Sequence, residues 1–194
     1  GEPYDLELRL VTAAEDVRWV RTQAVPETDE YGTVTGAVGV FQDITERKRL
    51  ELCLRSLQET ARDLSLAASA DDIGDIAVEA AAEVLDLDVT GVWTYDGRRD
   101  ALVPVGASDA AAEVVDEVPT FTGGESIAWE VFHSGEMRVF DDVSDHSPYN
   151  EATALKSEIL VPLGEYGLIS TASTTEQEFT DVEADLFHVL GRSV

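Results

Sequence analysis

The densest run of potentially reactive side chains is Asp141-Asp142-Val143-Ser144-Asp145-His146. Three carboxylates and an imidazole within six residues are donors that can bind a divalent ion. In a chain with 40 acidic residues a hydrated loop explains the same run, and no metal site is expected. Glu130 and His133 stand three residues apart and share a face if their segment is helical. No second such pair accompanies them, which argues against a two-metal site, and a His near a helix C-terminus is favoured by the dipole alone. His188 has no visible partner. Cys53 lies between Leu52 and Leu54 without a basic neighbour clearly placed to lower its pKa, so it reads as a small packing residue. Gly123-Gly124 can cradle an anion at a helix start, but Glu125 would repel it. No Ser–His–Asp arrangement, phosphate loop or paired-Cys motif is present. No catalysis is expected and no catalytic residue is assigned.

The elements that must position these groups divide in two. Leu6, Leu8 and Leu10 alternate with Glu7 and Arg9, the period of a half-buried strand. Trp19–Val25 reads as a second strand, Pro26–Gly32 as a turn-rich link and Val34–Asp43 as a third strand. Three antiparallel strands with one apolar face need a partner surface, which is expected from chain upstream of Gly1. At Asp43 the period changes. Asp43 or Thr45 can cap a helix, and Leu50, Leu54, Leu57, Ala61, Leu64 and Ala68 then recur with heptad spacing. This predicts either a short two-stranded coiled coil or a helix packed on its own domain, and the dimer seam is preferred. Leu52 and Leu66 fall off it.

A break at Ser69–Asp72 precedes a second amphipathic helix through Leu85, with Asp71 or Asp72 near its cap. Val89–Tyr95 and Ala101–Val105 then read as strands about an Asp96-Gly97 turn, Pro104 favouring an edge. Ala110–Val115 and Ser126–Ser134 read as helices, the latter ended by Gly135. Arg138–Phe140, Glu158–Leu163 and Tyr166–Ala172 read as strands, Asp141–Ala154 as a polar loop, and Thr180–Leu190 as a helix. The pattern is an α+β fold: three hairpin-type strands, a long connector helix, then helices packed on a central antiparallel sheet.

Composition limits the partners. The 194 residues carry a formal net charge of -27, and only Lys48 and Lys156 are lysines. Self-repulsion at this density is relieved when salt shortens the Debye length to about 3 Å near 1 M, so adaptation to a molar-salt cytoplasm is expected. No basic stripe exists to neutralise phosphates, so this segment is not expected to bind nucleic acid. No apolar run approaches the ~20 residues that span a bilayer. A single cysteine fits a reducing, cytoplasmic setting.

Two resemblances follow from particular residues. Tyr31 to Lys48, with its Asp43-Ile44-Thr45-Glu46-Arg47 junction, resembles the end of a PAS domain, and Arg18-Trp19-Val20 fits the preceding strand. The segments Gly123–Glu136, Val139–Val143 and Ser157–Leu163 together resemble a GAF domain. The implied organisation is residues 1–45 as the C-terminal part of a PAS domain, 46–69 as connector and 70–194 as GAF domain. With this acidity, the combination resembles haloarchaeal bacterio-opsin activator-like transcription regulators, whose DNA-binding domain lies outside these residues. A histidine kinase sensor or a ligand-free dimerisation scaffold are the alternatives. The GAF resemblance implies that Trp93, Tyr95, Trp129, Phe132, Phe140 and Tyr149 surround a ligand cavity, with Asp141, Asp142 or Ser157 setting its polarity, or else fill a core. No cofactor is expected; an unidentified small-molecule ligand is the open possibility, and homodimerisation through the connector helix is the expected partnership.

Overall fold

A computed structural model describes residues 2–13, 17–115, 117–124, 126–146, 154–176 and 179–194. The chain forms two compact units, Gly1–Cys53 and Leu54–Val194.

The first unit is a three-stranded antiparallel sheet in chain order: β1 (Tyr4–Val11), β2 (Val17–Thr28) and β3 (Val34–Asp43). Strand β2 is longer than the sequence suggests. Pro26 continues it opposite Ala37, and the register shifts only at Glu27/Thr28. The half-burial expected of β1 is not seen: Leu6, Leu8 and Leu10 are all exposed, as are Val38, Val40 and Phe41 on β3. Alternation thus established the strand but not its covering, because three strands cannot enclose an apolar face by themselves.

Helix α1 (Thr45–Leu64) starts directly from this sheet. Asp43 Oδ1 accepts the Thr45 N–H at 2.9 Å, Thr45 Oγ1 accepts the Trp19 N–H at 2.9 Å, and the Ile44 N–H donates to the Trp19 carbonyl at 2.8 Å. Glu7 on β1 receives ion pairs from Arg47 and Lys48, and Lys48 Nζ stands 5.7 Å from the Trp19 ring centroid. The expected heptad seam is uneven. Leu57 and Leu64 are buried and Ala61 is partly so, whereas Leu50 and Leu54 are 41% and 40% exposed. Ala68 lies beyond the helix, which ends in a turn where the Leu66 N–H reaches the Asp63 carbonyl.

The second unit is built on one six-stranded sheet with every pairing antiparallel. Its strands are β4 (Val89–Asp96), β5 (Ala101–Ala107), β6 (Phe121–Thr122), β7 (Arg138–Phe140), β8 (Ser157–Pro162) and β9 (Gly167–Ser173), in the order β6-β5-β4-β9-β8-β7. The two-residue β6 has no sequence signal of its own. It pairs only with Ala101 and Leu102, so the edge of β5 beside Pro104 needs no N–H.

Helices cover both faces. On one side α2 (Ala70–Leu85) packs on β4 and β5, and α5 (Asp181–Ser193) packs on β8 and on α2. Ser69, rather than Asp71 or Asp72, caps α2: its hydroxyl accepts the Asp72 N–H, and the two aspartates occupy the first turn. A Cβ on Gly74 would meet the Val105 carbonyl oxygen at 2.5 Å, so a bare glycine lets α2 approach β5. Helix α5 opens with a capping box between Thr180 and Glu183 and buries Phe187 and Leu190 completely. On the other side lie α3 (Asp109–Val115) and α4 (Ile127–Ser134).

Candidate ligand cavity

The side of the sheet under α3 and α4 is not fully packed. A cavity of about 200 Å³ remains between the helices and the strands. Period-2 alternation sets its floor: Gly91 and Trp93 from β4, Ser170 and Ala172 from β9, and Glu158 from β8. Gly91 stands directly opposite Ser170, and Glu158 opposite Ala172. The cavity exists because three of these five residues are small. Its upper wall takes Ala111 and Val115 from α3, Ile127 and Ala128 from α4, and Phe121 from β6.

Local chemistry holds this wall in place. Ser126 caps α4 by accepting the Trp129 N–H at 3.1 Å, and Gly135 ends it with a φ of 69°. Trp93 Nε1 donates to the Pro119 carbonyl at 2.8 Å, and its ring centroid lies 5.4 Å from that of Phe121. Donor and aromatic face are thus both engaged, and the indole is a fixed boundary.

Glu158 is the ionisable group that sequence reasoning missed. Its signal was an acid immediately before Ile159-Leu160-Val161, at a strand position that faces the protein. The residue is half-buried by surface area, yet the protein around its carboxyl pushes its pKa up to about 7, an effect partly offset by a hydrogen bond from the Ser170 hydroxyl. Among the described residues the other ionisable group on the wall is Glu117.

Of the aromatic residues expected around a ligand, the structure puts only Trp93 on the cavity wall among the described residues. Tyr95, Trp129 and Phe132 form a ring cluster, with centroids 5.1 to 6.2 Å apart. The Tyr95 hydroxyl donates to Asp100 at 2.8 Å. Phe140 joins the core with Trp129 and Leu160 and meets His146 edge-on at 4.6 Å. Tyr149 lies outside the described residues. Asp142 caps a 3-10 turn at Val143–Asp145, its Oδ1 accepting from the Ser144 hydroxyl and N–H, and these two bonds lower its pKa. Ser157 points to the opposite side of the sheet, where its hydroxyl donates to the Thr175 carbonyl at 2.7 Å. Neither sets the polarity of this cavity.

The other sequence candidates settle elsewhere. His133 stacks on Trp129 with its Nδ1 3.2 Å from the Trp129 carbonyl oxygen. Burial pushes the Cys53 thiol upward, away from the reactive range. Among the described residues no three His, Cys, Asp or Glu side chains converge as a metal-binding group, and no helix is long and apolar enough to cross a membrane.

A family model described as "GAF domain" matches residues 67–194, about two thirds of the chain. The chain belongs to the GAF domain family. A second model, "PAS fold", matches residues 1–49. The GAF domain unit resembles the GAF domain of an Acinetobacter phosphoenolpyruvate-protein phosphotransferase, with a TM-score of 0.62 and 18% identity over 73% of this chain and 89% of that one. It is also similar to the free methionine-R-sulfoxide reductase of Neisseria meningitidis, solved with its substrate, with a TM-score of 0.58 and 17% identity over 75% and 89%. At these identities the likeness shows the GAF fold alone. Blue-light-activated histidine kinases of Brucella ovis and Brucella canis are each 45% identical over 51 residues, 26% of this chain and 10% of theirs. The chain therefore spans about a tenth of the length of the curated relatives it matches.

Proposed function

We propose that this chain is the non-catalytic sensory part of a cytoplasmic signalling protein, in which a small molecule held by the GAF domain changes the packing of α1 against a second copy. The observation that carries this reading is the cavity of about 200 Å³ in the GAF domain, with an ionisable carboxyl on its floor. A merely structural core closes such a space, because each unfilled methylene costs stability. Helix α1 supports the coupling: it runs unbroken from Thr45 to Leu64, with no glycine or proline along it. Leu50 and Leu54 give it an apolar edge for a homodimer. A stiff helix passes a shift at one end to the other.

The output domain lies beyond these residues. The extreme acidity favours a haloarchaeal regulator of the bacterio-opsin activator-like kind, ending in a DNA-binding domain. The likeness to blue-light-activated histidine kinases favours a kinase output instead.

The test is to purify the chain in molar KCl, measure its mass by light scattering, and analyse by mass spectrometry what denaturation releases. A dimer releasing a stoichiometric small molecule supports the whole reading. A ligand-free dimer that binds nothing from a metabolite library reduces it to a scaffold, and a ligand-free monomer removes both parts.

A further inference from the structure

We propose that the GAF cavity takes a small organic cation, an ammonium or amidinium group on a compact apolar body, with Glu158 as its counter-ion. This rests on the reading of the cavity as a ligand site.

The first support is the floor itself. Gly91, Ser170 and Ala172 are too short to fill the space beside Glu158, which lines the open volume with them. An ionised carboxylate offers about four lone-pair sites. The Ser170 hydroxyl satisfies one. No Lys, Arg or His lines the cavity among the described residues. The site is therefore rich in acceptors and lacks a positive charge, which a ligand would have to bring.

The second support is size and surface. At ~30 Å³ per water molecule, about 200 Å³ holds some seven waters or a body of comparable heavy-atom number. The remaining wall is apolar, with the rings of Trp93 and Phe121 meeting at its edge. Aromatic faces accept both an apolar body and a cationic head.

The third support is the field. Residues 54–194 hold 29 of the 40 acidic residues and 7 of the 13 basic ones. At low ionic strength such a domain concentrates cations near its openings and repels anions, and in molar salt only the charges lining the cavity itself retain this effect. An anionic ligand would face both this field and Glu158.

A proton must leave Glu158 before it can pair with a cation, so affinity rises with pH through neutrality. Glu117 is the other acidic side chain on this wall among the described residues. His146 rests against Phe140 and borders a separate cleft of about 70 Å³.

The experiment is calorimetric titration of the 194-residue chain in molar KCl with three isosteric probes: benzylammonium, benzyl alcohol and benzoate. Benzylammonium is expected to bind at least tenfold tighter than benzyl alcohol at pH 8, to lose most of that advantage at pH 5.5, and to lose it at every pH in Glu158→Gln. Equal or tighter binding of the alcohol or benzoate overturns the charge assignment and leaves the cavity a ligand site, as does an ammonium preference that survives in Glu158→Gln. No binding of any probe to the unmutated chain overturns both this assignment and the ligand-site reading. The pH series on the unmutated chain stands even if the variant folds poorly.

Discussion

The indole of Trp93 lies back over Gly91, two residues earlier on the same strand face, so that a Cβ on Gly91 would sit 2.5 Å from its Cη2 atom. The β4 part of the cavity floor is thus set by one pair of residues. Gly91→Ala is expected to push the ring aside, break its bond to the Pro119 carbonyl and cost about 1–3 kcal/mol by overpacking. Urea unfolding together with tryptophan emission checks this: the midpoint should fall and the native emission shift to the red. An unchanged midpoint would mean that the strand absorbs the methyl.

Glu158 should make stability depend on pH in a defined direction. Its folded-state pKa of about 7 lies above the ordinary 4.5, so the folded state holds a proton that the unfolded chain has released. The benefit is complete below pH 4.5 and is lost as pH rises through 7. Glu158→Gln is expected to remove this fall, making the variant more stable than the parent by about 1–3 kcal/mol at pH 8. Chemical unfolding at pH 5 and pH 8 measures the difference. Parallel curves for the two proteins would mean that the carboxyl is hydrated.

The two halves of the α1 seam should answer differently to substitution. Leu57 is 2% exposed, and Leu57→Ala should cost about 2–4 kcal/mol of folding stability. Leu54 is 40% exposed, and Leu54→Lys should change folding little but lower the mass seen by light scattering if that edge joins two copies. A Leu54→Lys protein of unaltered mass would remove Leu54 from any interface.

Salt should stabilise the chain. With a formal net charge of -27, thermal midpoints are expected to rise from 0.1 M to 2 M KCl as repulsion among carboxylates is screened. Carboxylates already paired, such as Asp5 with Arg21 and Glu7 with Lys48, work against this trend, because screening weakens them too. A flat profile would show that the acidic residues are too far apart to repel.

Most of the architecture could be read from periodicity and punctuation. The Val89–Tyr95 strand before its Asp96-Gly97 turn, the small and β-branched run of β3 and the Ser126 and Gly135 boundaries of α4 each carry their own local signal, and each element lies where expected. Features that depend on distant partners were less legible. The two-residue β6 exists only because β5 offers it an edge, and Pro26 stays in β2 because Ala37 stands opposite. The site was the least legible part. The GAF resemblance points to aromatic residues, yet a cavity is made where residues are small, and Gly91, Ser170 and Ala172 carry no signal singly. They become a floor only when β4, β8 and β9 come into register. Glu158 was hidden by the abundance of acids elsewhere: in a chain with 40 of them, one placed inward does not stand out.

The bonds that join Trp19 to Ile44 and Thr45 give the start of α1 no freedom of its own. The start of the helix and the start of β2 are joined through Trp19, whose N–H donates to the Thr45 hydroxyl and whose carbonyl accepts the Ile44 N–H, so the two are expected to open together. Hydrogen exchange at Trp19 and Ile44 should therefore proceed as a single event, with one free energy and one response to denaturant. For a helix that leaves a sheet, this removes the swivel. In the proposed coupling, these bonds are the contacts through which a twist in β2 would reach the first turn of the helix.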